Sequence, residues 1–315
     1  MSDFTLSVVV TTYNRAPILE KALRALLNQD TTESHEIVVI DDGSTDRTPE
    51  LVRGLQADHP HLRYVPQPNQ GRAVARNTGI REARGEFLCY VDSDVVVVPG
   101  FVRGHLEAHR NARRTDAARE VFVQGLSVNV DDFEHLTEAK VPPFDPSRAF
   151  FDTKNVSIRR SLLEQVGGFD TGFVEYGWED LELGTRLKQI GVGIVRSKEA
   201  LGFHYHPRFT VADLPRLKRI EEERGRMAAR FLQMHPTLDV RLMTQETPLH
   251  DVLNFIATWG GLWNERTLRP ALTVVERMGW YGFAAQWAQI VLNQYNLIEL
   301  KKARRAQRRP LGNNT

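Results

Sequence analysis

Two carboxylates one residue apart, Asp92 and Asp94 in Asp92-Ser93-Asp94, follow directly on the apolar run Phe87-Leu88-Cys89-Tyr90-Val91. At the exit of a strand they make a small, oxygen-rich site. Such a site suits Mg²⁺ or Mn²⁺, which take few protein carboxylates and share the rest of their shell with phosphate oxygens. An ion held there can grip a diphosphate and offset the charge of a diphosphate leaving group. Asp-x-Asp turns also end strands for purely local hydrogen-bonding reasons, so the tripeptide takes its meaning from its surroundings.

Other segments offer compatible chemistry. Thr11-Thr12-Tyr13-Asn14-Arg15 ends an earlier apolar run; its Tyr can stack a planar base and its Thr can meet a polar edge. Asp41-Asp42-Gly43-Ser44 ends the next run, and a carboxylate there can accept the imide N–H of uracil or thymine, or N–H donors of guanine. Asn69-Gln70-Gly71-Arg72 with Ala75-Arg76-Asn77 brings cations to a helix start, where Arg76 could face a base or a diphosphate. Glu179-Asp180 follows the aromatic, glycine-containing loop Phe173 to Trp178. The bland reading of that pair is capping of a helix starting at Leu181, since the dipole favours anions there. In His204-Tyr205-His206 alternation puts both histidines on one strand face, able to add a nitrogen ligand to a site holding Asp94.

The elements around these residues alternate. Leu6–Val10, Ile37–Ile40, Leu62–Val65 and Phe87–Val91 are short apolar runs, and helical spacing (Ile18, Ala22, Ala25, Leu26; Leu51, Val52, Leu55; Ala73–Ala83) separates them. Thr48-Pro49 reads as a helix cap and first-turn proline. Continuous apolar strands alternating with helices imply a mostly parallel sheet covered on both faces, with ligands beyond the strands' carboxyl ends. All the polar turns named above fall there. Residues 131–149 read as a loop, Lys154–Arg159 as a strand, and Ser161–Glu164 as a capping box before a short helix that Gly167-Gly168 ends. Leu183, Leu187 and Ile190 continue a later helix.

From about Val211 the pattern is helical and rich in charge, so the expected division is 1–210 and 211–315. Gln286, Gln289, Asn293 and Asn296 form a narrow polar stripe on a helix otherwise apolar (Phe283, Trp287, Ile290, Val291, Ile298). That helix wants burial: on the first domain, in an oligomer contact, or on a membrane beside the basic tail Lys301–Arg309. The 315 residues carry 41 Lys+Arg against 40 Asp+Glu, so no global polyanion field is implied, and no nucleic-acid module is recognisable. Cys89 is the single cysteine and reads as a core hydrophobe. Without a leader pattern or spanning segment, the expectation is a cytoplasmic protein touching at most the inner face of a membrane.

In order, Val8-Val9-Val10-Thr11-Thr12-Tyr13-Asn14-Arg15, Val39-Ile40-Asp41-Asp42-Gly43-Ser44-Thr45-Asp46, Asn69-Gln70-Gly71 with Ala75-Arg76-Asn77, and Asp92-Ser93-Asp94 resemble the inverting family-2 glycosyltransferases of the GT-A fold. Gly167-Gly168-Phe169-Asp170 and Tyr176 to Leu183 are similar to the acceptor and catalytic segment of β-1,4-galactosyltransferases and chondroitin-polymerase-type enzymes. The resemblance implies a Rossmann-like α/β GT-A domain with a helical C-terminal extension. It also implies a nucleotide-diphospho-sugar donor, with UDP as the default, and a glycan or glycoconjugate acceptor. The implied nucleotide set is Thr11, Tyr13, Asn14, Asp41, Asp42, Asn69, Arg76, Asp92 and Ser93. Mn²⁺ or Mg²⁺ would sit on Asp94 and Asp92 with His204, or His206 in reserve; Asp180 would be the base, with Glu179, Trp178 and Gly177 on the acceptor. A sugar-phosphate nucleotidyltransferase would carry a glycine-rich first turn, absent from Thr11 to Arg15, and a non-catalytic binding module would tolerate loss of the carboxylates that are present.

Overall fold

A computed structural model describes residues 4–136 and 150–308, Arg308 by its backbone alone. Residues 137–149 of the expected loop, and Arg309 of the basic tail, lie outside the described residues. The chain forms two compact units: residues 1–172 with 179–207, and residues 173–178 with 208–315. The division falls three residues before the expected 210/211 boundary, and the Phe173–Trp178 loop groups with the helical unit.

The first unit is built on one mixed sheet. Its strands are β1 (Phe4–Thr12), β2 (His35–Asp41), β3 (Leu62–Pro66), β4 (Gly85–Asp92), β5 (Val95–Val97), β6 (Val121–Val130), β7 (Asn155–Arg159) and β8 (Gly193–Tyr205), in the order β3-β2-β1-β4-β7-β6-β8-β5. The first four apolar runs pair in parallel as their sequences imply. β7 runs antiparallel to both β4 and β6, and β5 antiparallel to β8. Alternate residues feed two cores. Leu6, Val8 and Val10 pack with Leu19, Leu23 and Leu26 of α1 (Ala16–Leu27), Val52 of α2 (Thr48–Asp58) and Phe101 of α4 (Phe101–Thr115). Val9 faces the other core with Ile80 of α3 (Arg72–Glu82), Leu163 of α5 (Arg160–Gln165) and Leu183 of α6 (Glu179–Gln189). Each fully buried leucine contributes about 1.5–3 kcal/mol.

Two capping expectations change. Thr48 lies inside α2, and Asp46 does the capping: Oδ1 accepts from the Thr48 N–H at 3.0 Å and Oδ2 from the Ala16 N–H at 3.0 Å, tying together the starts of α1 and α2. α5 begins at Arg160 with no side-chain cap, so Ser161–Glu164 is no capping box. Gly167 and Gly168 do end it, both at positive φ. A Cβ on Gly168 would lie 2.5 Å from Asn77 Oδ1, an amide already bonded to both the N–H and the carbonyl of Phe169.

The helical unit contains α7 (Leu214–Met234), α8 (Leu238–Met243), α9 (Pro248–Ala257), α10 (Glu265–Arg277) and α11 (Tyr281–Arg308). Its core joins Ala284, Ala288, Val291 and Leu292 of α11 to Leu214, Leu268 and Leu272. α11 approaches α7 closely because position 225 is glycine; a Cβ there would lie 2.3 Å from the Asn296 carbonyl oxygen. Part of the polar stripe is used inside the unit: Asn293 donates to Gln245 Oε1, and buried Asn296 donates to Glu221 Oε2.

Beneath the sheet, α4 carries His105 and His109 into the core, where both meet Ser157 Oγ on β7 (2.8 and 2.9 Å), and His105 also meets Asn155 Oδ1. Burial depresses their pKa values to about 4 and about 3. The unfolded chain binds these protons near pH 6.5, whereas the folded chain does so only at about 4 and 3. The stability they contribute is therefore full above pH 6.5 and falls as pH drops, by about 1.4 kcal/mol per pH unit for each histidine. Urea midpoints at pH 7, 6 and 5 should decline accordingly, and His105→Asn/His109→Asn should flatten the slope. A midpoint independent of pH over that range would contradict the assignment.

Candidate active site

Strand register brings together Asp92, Asp94 and His204, a group that could hold a metal ion. Asp92 is the last residue of β4 and sits opposite Thr11 of β1, so the first polar turn adjoins it. Three residues later β5 pairs with β8 in the register Val95↔His204, and the Tyr205 N–H donates to the Asp94 carbonyl at 2.9 Å. These bonds bring His204 Nε2 to 3.5 Å from Asp94 Oδ1. One donor atom from each of Asp92, Asp94 and His204 lies within 4.8 Å of the others. Asn129 Oδ1 lies 3.1 Å from His204 Nδ1; with the proton assigned there, Nε2 keeps its lone pair for a cation. His206 lies just past β8 with its ring centroid 6.3 Å from that of His204, outside this group. Two carboxylates and an imidazole fit Mn²⁺ or Mg²⁺. The Arg15 guanidinium pairs with the second oxygen, Asp94 Oδ2.

A buried cation spans the next part of the crevice. Arg76, from α3, donates to Glu179 Oε1 at 2.7 Å, lies 3.9 Å from Asp92 Oδ1, and stacks over Phe169 at 5.5 Å. Burial alone would lower its pKa, but Glu179, Asp92 and Asp180 hold it well above the usual value. Glu179 Oε2 is buried with no hydrogen-bond partner. Asp180, the second residue of α6, accepts from the Leu181 N–H at 2.8 Å. A helix N-terminus favours the ionised form, yet the net shift is upward, to about 7: desolvation dominates, Glu179 and Asp152 add to it, and Arg76 opposes it. Desolvation also raises Asp92, against Arg76 and with help from Asp94 and Asp152.

Of the residues expected to meet the nucleotide, several are held by the turns themselves. Asp41 accepts from the Ser44 N–H and the Tyr64 hydroxyl. Asp42 accepts from Gln67 Nε2 and from the N–H groups of Gln70 and Gly71, which fixes the loop carrying Asn69. Asn14, at φ 53°, accepts from the N–H groups of Thr45 and Asp46 and so ties the first two turns together. Tyr13 is half-exposed, Thr11 partly exposed and Ser93 buried. Trp178 and Gly177 belong to the helical unit, where the indole is 7 % exposed, donates to the Arg224 carbonyl and lies beside Phe231. Stacking on a sugar would require the indole to leave this packing.

Three residues of the crevice carried no sequence assignment. Asp152, just before β7, adds charge to both Asp92 and Asp180 and pairs with Lys154 at 2.6 Å. Arg15 was visible only as part of a turn, and Asn129 lies on β6, whose pattern drew no strand reading. The one available signal was Asp152 standing at the edge of the legible strand Lys154–Arg159.

The family 2 glycosyl transferase model matches residues 7–167, and a model described as the N-terminal domain of galactosyltransferase matches residues 136–209. The chain belongs to glycosyltransferase family 2. Validoxylamine A glucosyltransferase of Streptomyces hygroscopicus is 34% identical over 267 residues, covering 74% of this chain and 61% of the relative. Chondroitin synthase of Escherichia coli is 28% identical over 243 residues, covering 64% of this chain and 35% of the relative. The chain thus spans under two thirds of the length of either. A mannosyltransferase from Pyrobaculum calidifontis, solved with GDP-Man and Mn²⁺, superposes with a TM-score of 0.58 at 18% identity, covering 97% of this chain and 88% of that one. The fold is GT-A, with a helical C-terminal region.

Arg76 and Glu179 are both almost fully buried, so removing one partner strands the other's charge. Arg76→Ala should cost about 3–5 kcal/mol in urea unfolding. Adding Glu179→Gln should recover part of that loss. A cost below about 1 kcal/mol would contradict a central role for the pair.

Proposed function

We propose that this chain is a metal-dependent inverting glycosyltransferase. It moves a sugar from a nucleotide-diphospho-sugar, with UDP as carrier, to a hydroxyl of a glycan or glycoconjugate. One observation carries the reading: an oxygen, oxygen, nitrogen metal set (Asp92, Asp94, His204) shares one end of the sheet with a separate carboxylate, Asp180, that titrates near neutrality. The chondroitin synthase match supports a glycan acceptor, and the mannosyltransferase solved with GDP-Man and Mn²⁺ supports a nucleotide-sugar donor and the metal.

Mn²⁺ or Mg²⁺ held by Asp92, Asp94 and His204 would supply positive charge to the donor's diphosphate. Thr11 and Tyr13 receive the base and Asp92 the ribose, while Asp42 keeps the flanking loop in shape and offers its edge to the base. Glu179 Oε2, buried without a partner, accepts a hydrogen bond from an acceptor hydroxyl. Asp180 takes the proton of a neighbouring, attacking hydroxyl of the acceptor, and that oxygen bonds to the anomeric carbon as the bond to the diphosphate breaks on the opposite face. The proton ends on Asp180 and the electron pair on the diphosphate. A carboxylate with a pKa of about 7 is a far better proton acceptor than one at 3.8 and is still substantially ionised at neutral pH.

Asp180 must be ionised to act. kcat/KM should therefore rise about tenfold per pH unit in acid and level off above about pH 7. Asp180→Asn should lower kcat by roughly 10²–10⁴-fold, with the thermal shift produced by UDP and Mn²⁺ unchanged. Full turnover by Asp180→Asn with intact nucleotide binding would refute Asp180 as the base.

A further inference from the structure

α9 sits with its faces reversed. Asp251, Asn254 and Thr258, at positions i, i+3 and i+7, turn toward the protein: Asp251 Oδ1 accepts from Lys301 Nζ of α11 at 2.6 Å, Asn254 Oδ1 is buried, and Thr258 is 2 % exposed. Leu249, Val252, Leu253, Phe255 and Ile256, with Trp259 after the helix, are 52–70 % exposed. No residue of α9 is a buried one. In water this arrangement forfeits the burial that normally holds a short amphipathic helix in place, and an apolar patch of this kind marks an interaction surface.

The charges around the patch identify what covers it. Between Thr247 and Asn264 the only formally charged residue is Asp251, and Lys301 neutralises it. That same ion pair holds the basic end of α11 beside α9, with Lys302 and Arg305 exposed. The helical unit carries 17 Lys+Arg against 11 Asp+Glu, within a chain that is balanced overall. A second copy docked by two-fold symmetry would bring two basic helix ends toward each other. An anionic surface complements them. Trp259, at the edge of the apolar stripe, suits the level of lipid headgroups. Ten residues of helix span only about 15 Å, so α9 lies along such a surface; among the described residues no helix is long and apolar enough to cross a membrane. We propose that α9 docks on an anionic lipid bilayer, its apolar face at the acyl boundary and the Lys and Arg residues of α11 on the headgroups. This proposal is independent of the reaction assigned to the other unit.

The test is flotation of the full chain with vesicles of phosphatidylcholine alone or mixed with phosphatidylglycerol. The chain should float with the mixed vesicles and much less with the neutral ones. Leu253→Asp/Phe255→Asp should weaken partitioning by about tenfold or more, and Lys302→Glu/Arg305→Glu should do so by a similar factor. All four side chains are exposed, and the one ion pair lost, Lys302 with Glu299 on the same helix, is a surface pair, so melting temperatures should change little; if the aspartate pair does disturb folding, Phe255→Ser serves in its place. Absence of flotation overturns the proposal, as does flotation insensitive to the α9 substitutions. A dimer in sedimentation that the α9 substitutions dissolve, without vesicle binding, also overturns it and makes a second copy the occupant.

Discussion

The charge on Arg76 is the constraint on which the crevice depends. Asp92, Asp94, Asp152, Glu179 and Asp180 converge at one end of the sheet, and like charges in a poorly solvated site raise one another's proton affinity. Arg76 reaches Glu179 and Asp92 from one guanidinium and is stacked over Phe169, so it cannot shift without uncovering both carboxylates. Arg15 and Lys154 offset Asp94 and Asp152. No arginine or lysine forms a direct ion pair with Asp180 among the described residues, and it is the carboxylate displaced to about 7. A fixed cation thus sorts the cluster into a pair that can take a metal and a single group that can take a proton.

Backbone pairing makes this sorting possible. Asp94 and His204 are more than a hundred residues apart, yet the β5–β8 register and the Tyr205 bond to the Asp94 carbonyl settle their distance before any ligand arrives. Asn155 plays a similar part below the site: its amide donates to the Leu126 and Ala200 carbonyls and meets His105, tying β7 to β6, β8 and α4. The buried histidines on α4 are part of that lock, and they tie the crevice's support to pH through neutral imidazoles that resist protonation.

Much of this was legible locally. The four parallel strands, their polar turns, the Asp92-Ser93-Asp94 turn and the helix read from Leu181, which begins two residues earlier as α6, are contiguous patterns, and contiguous patterns follow backbone periodicity. α4 and β6 escaped because polar residues break their patterns: buried His105 and His109 interrupt the helical stripe, and buried Gln124, with the less buried Ser127 and the exposed Asn129, interrupts the strand. The antiparallel direction of β7 has no local signature, so the neighbourhood of Asp152 could not be deduced. The choice between His204 and His206 depended on where β8 ends, which alternation alone does not say. A sugar platform at Trp178 rests on its place beside Glu179 in the sequence, whereas the indole is buried in the helical unit beside Phe231.

The central claim is that this crevice separates metal ligands from a proton acceptor, with His204 on the metal side. Electron spin-echo spectroscopy of Mn²⁺ bound together with UDP tests it most directly. A ¹⁴N imidazole coupling should be present in the native chain and vanish in His204→Ala while Mn²⁺ still binds through the carboxylates. A spectrum without nitrogen coupling in the native chain, or one that His204→Ala leaves unchanged, would contradict it.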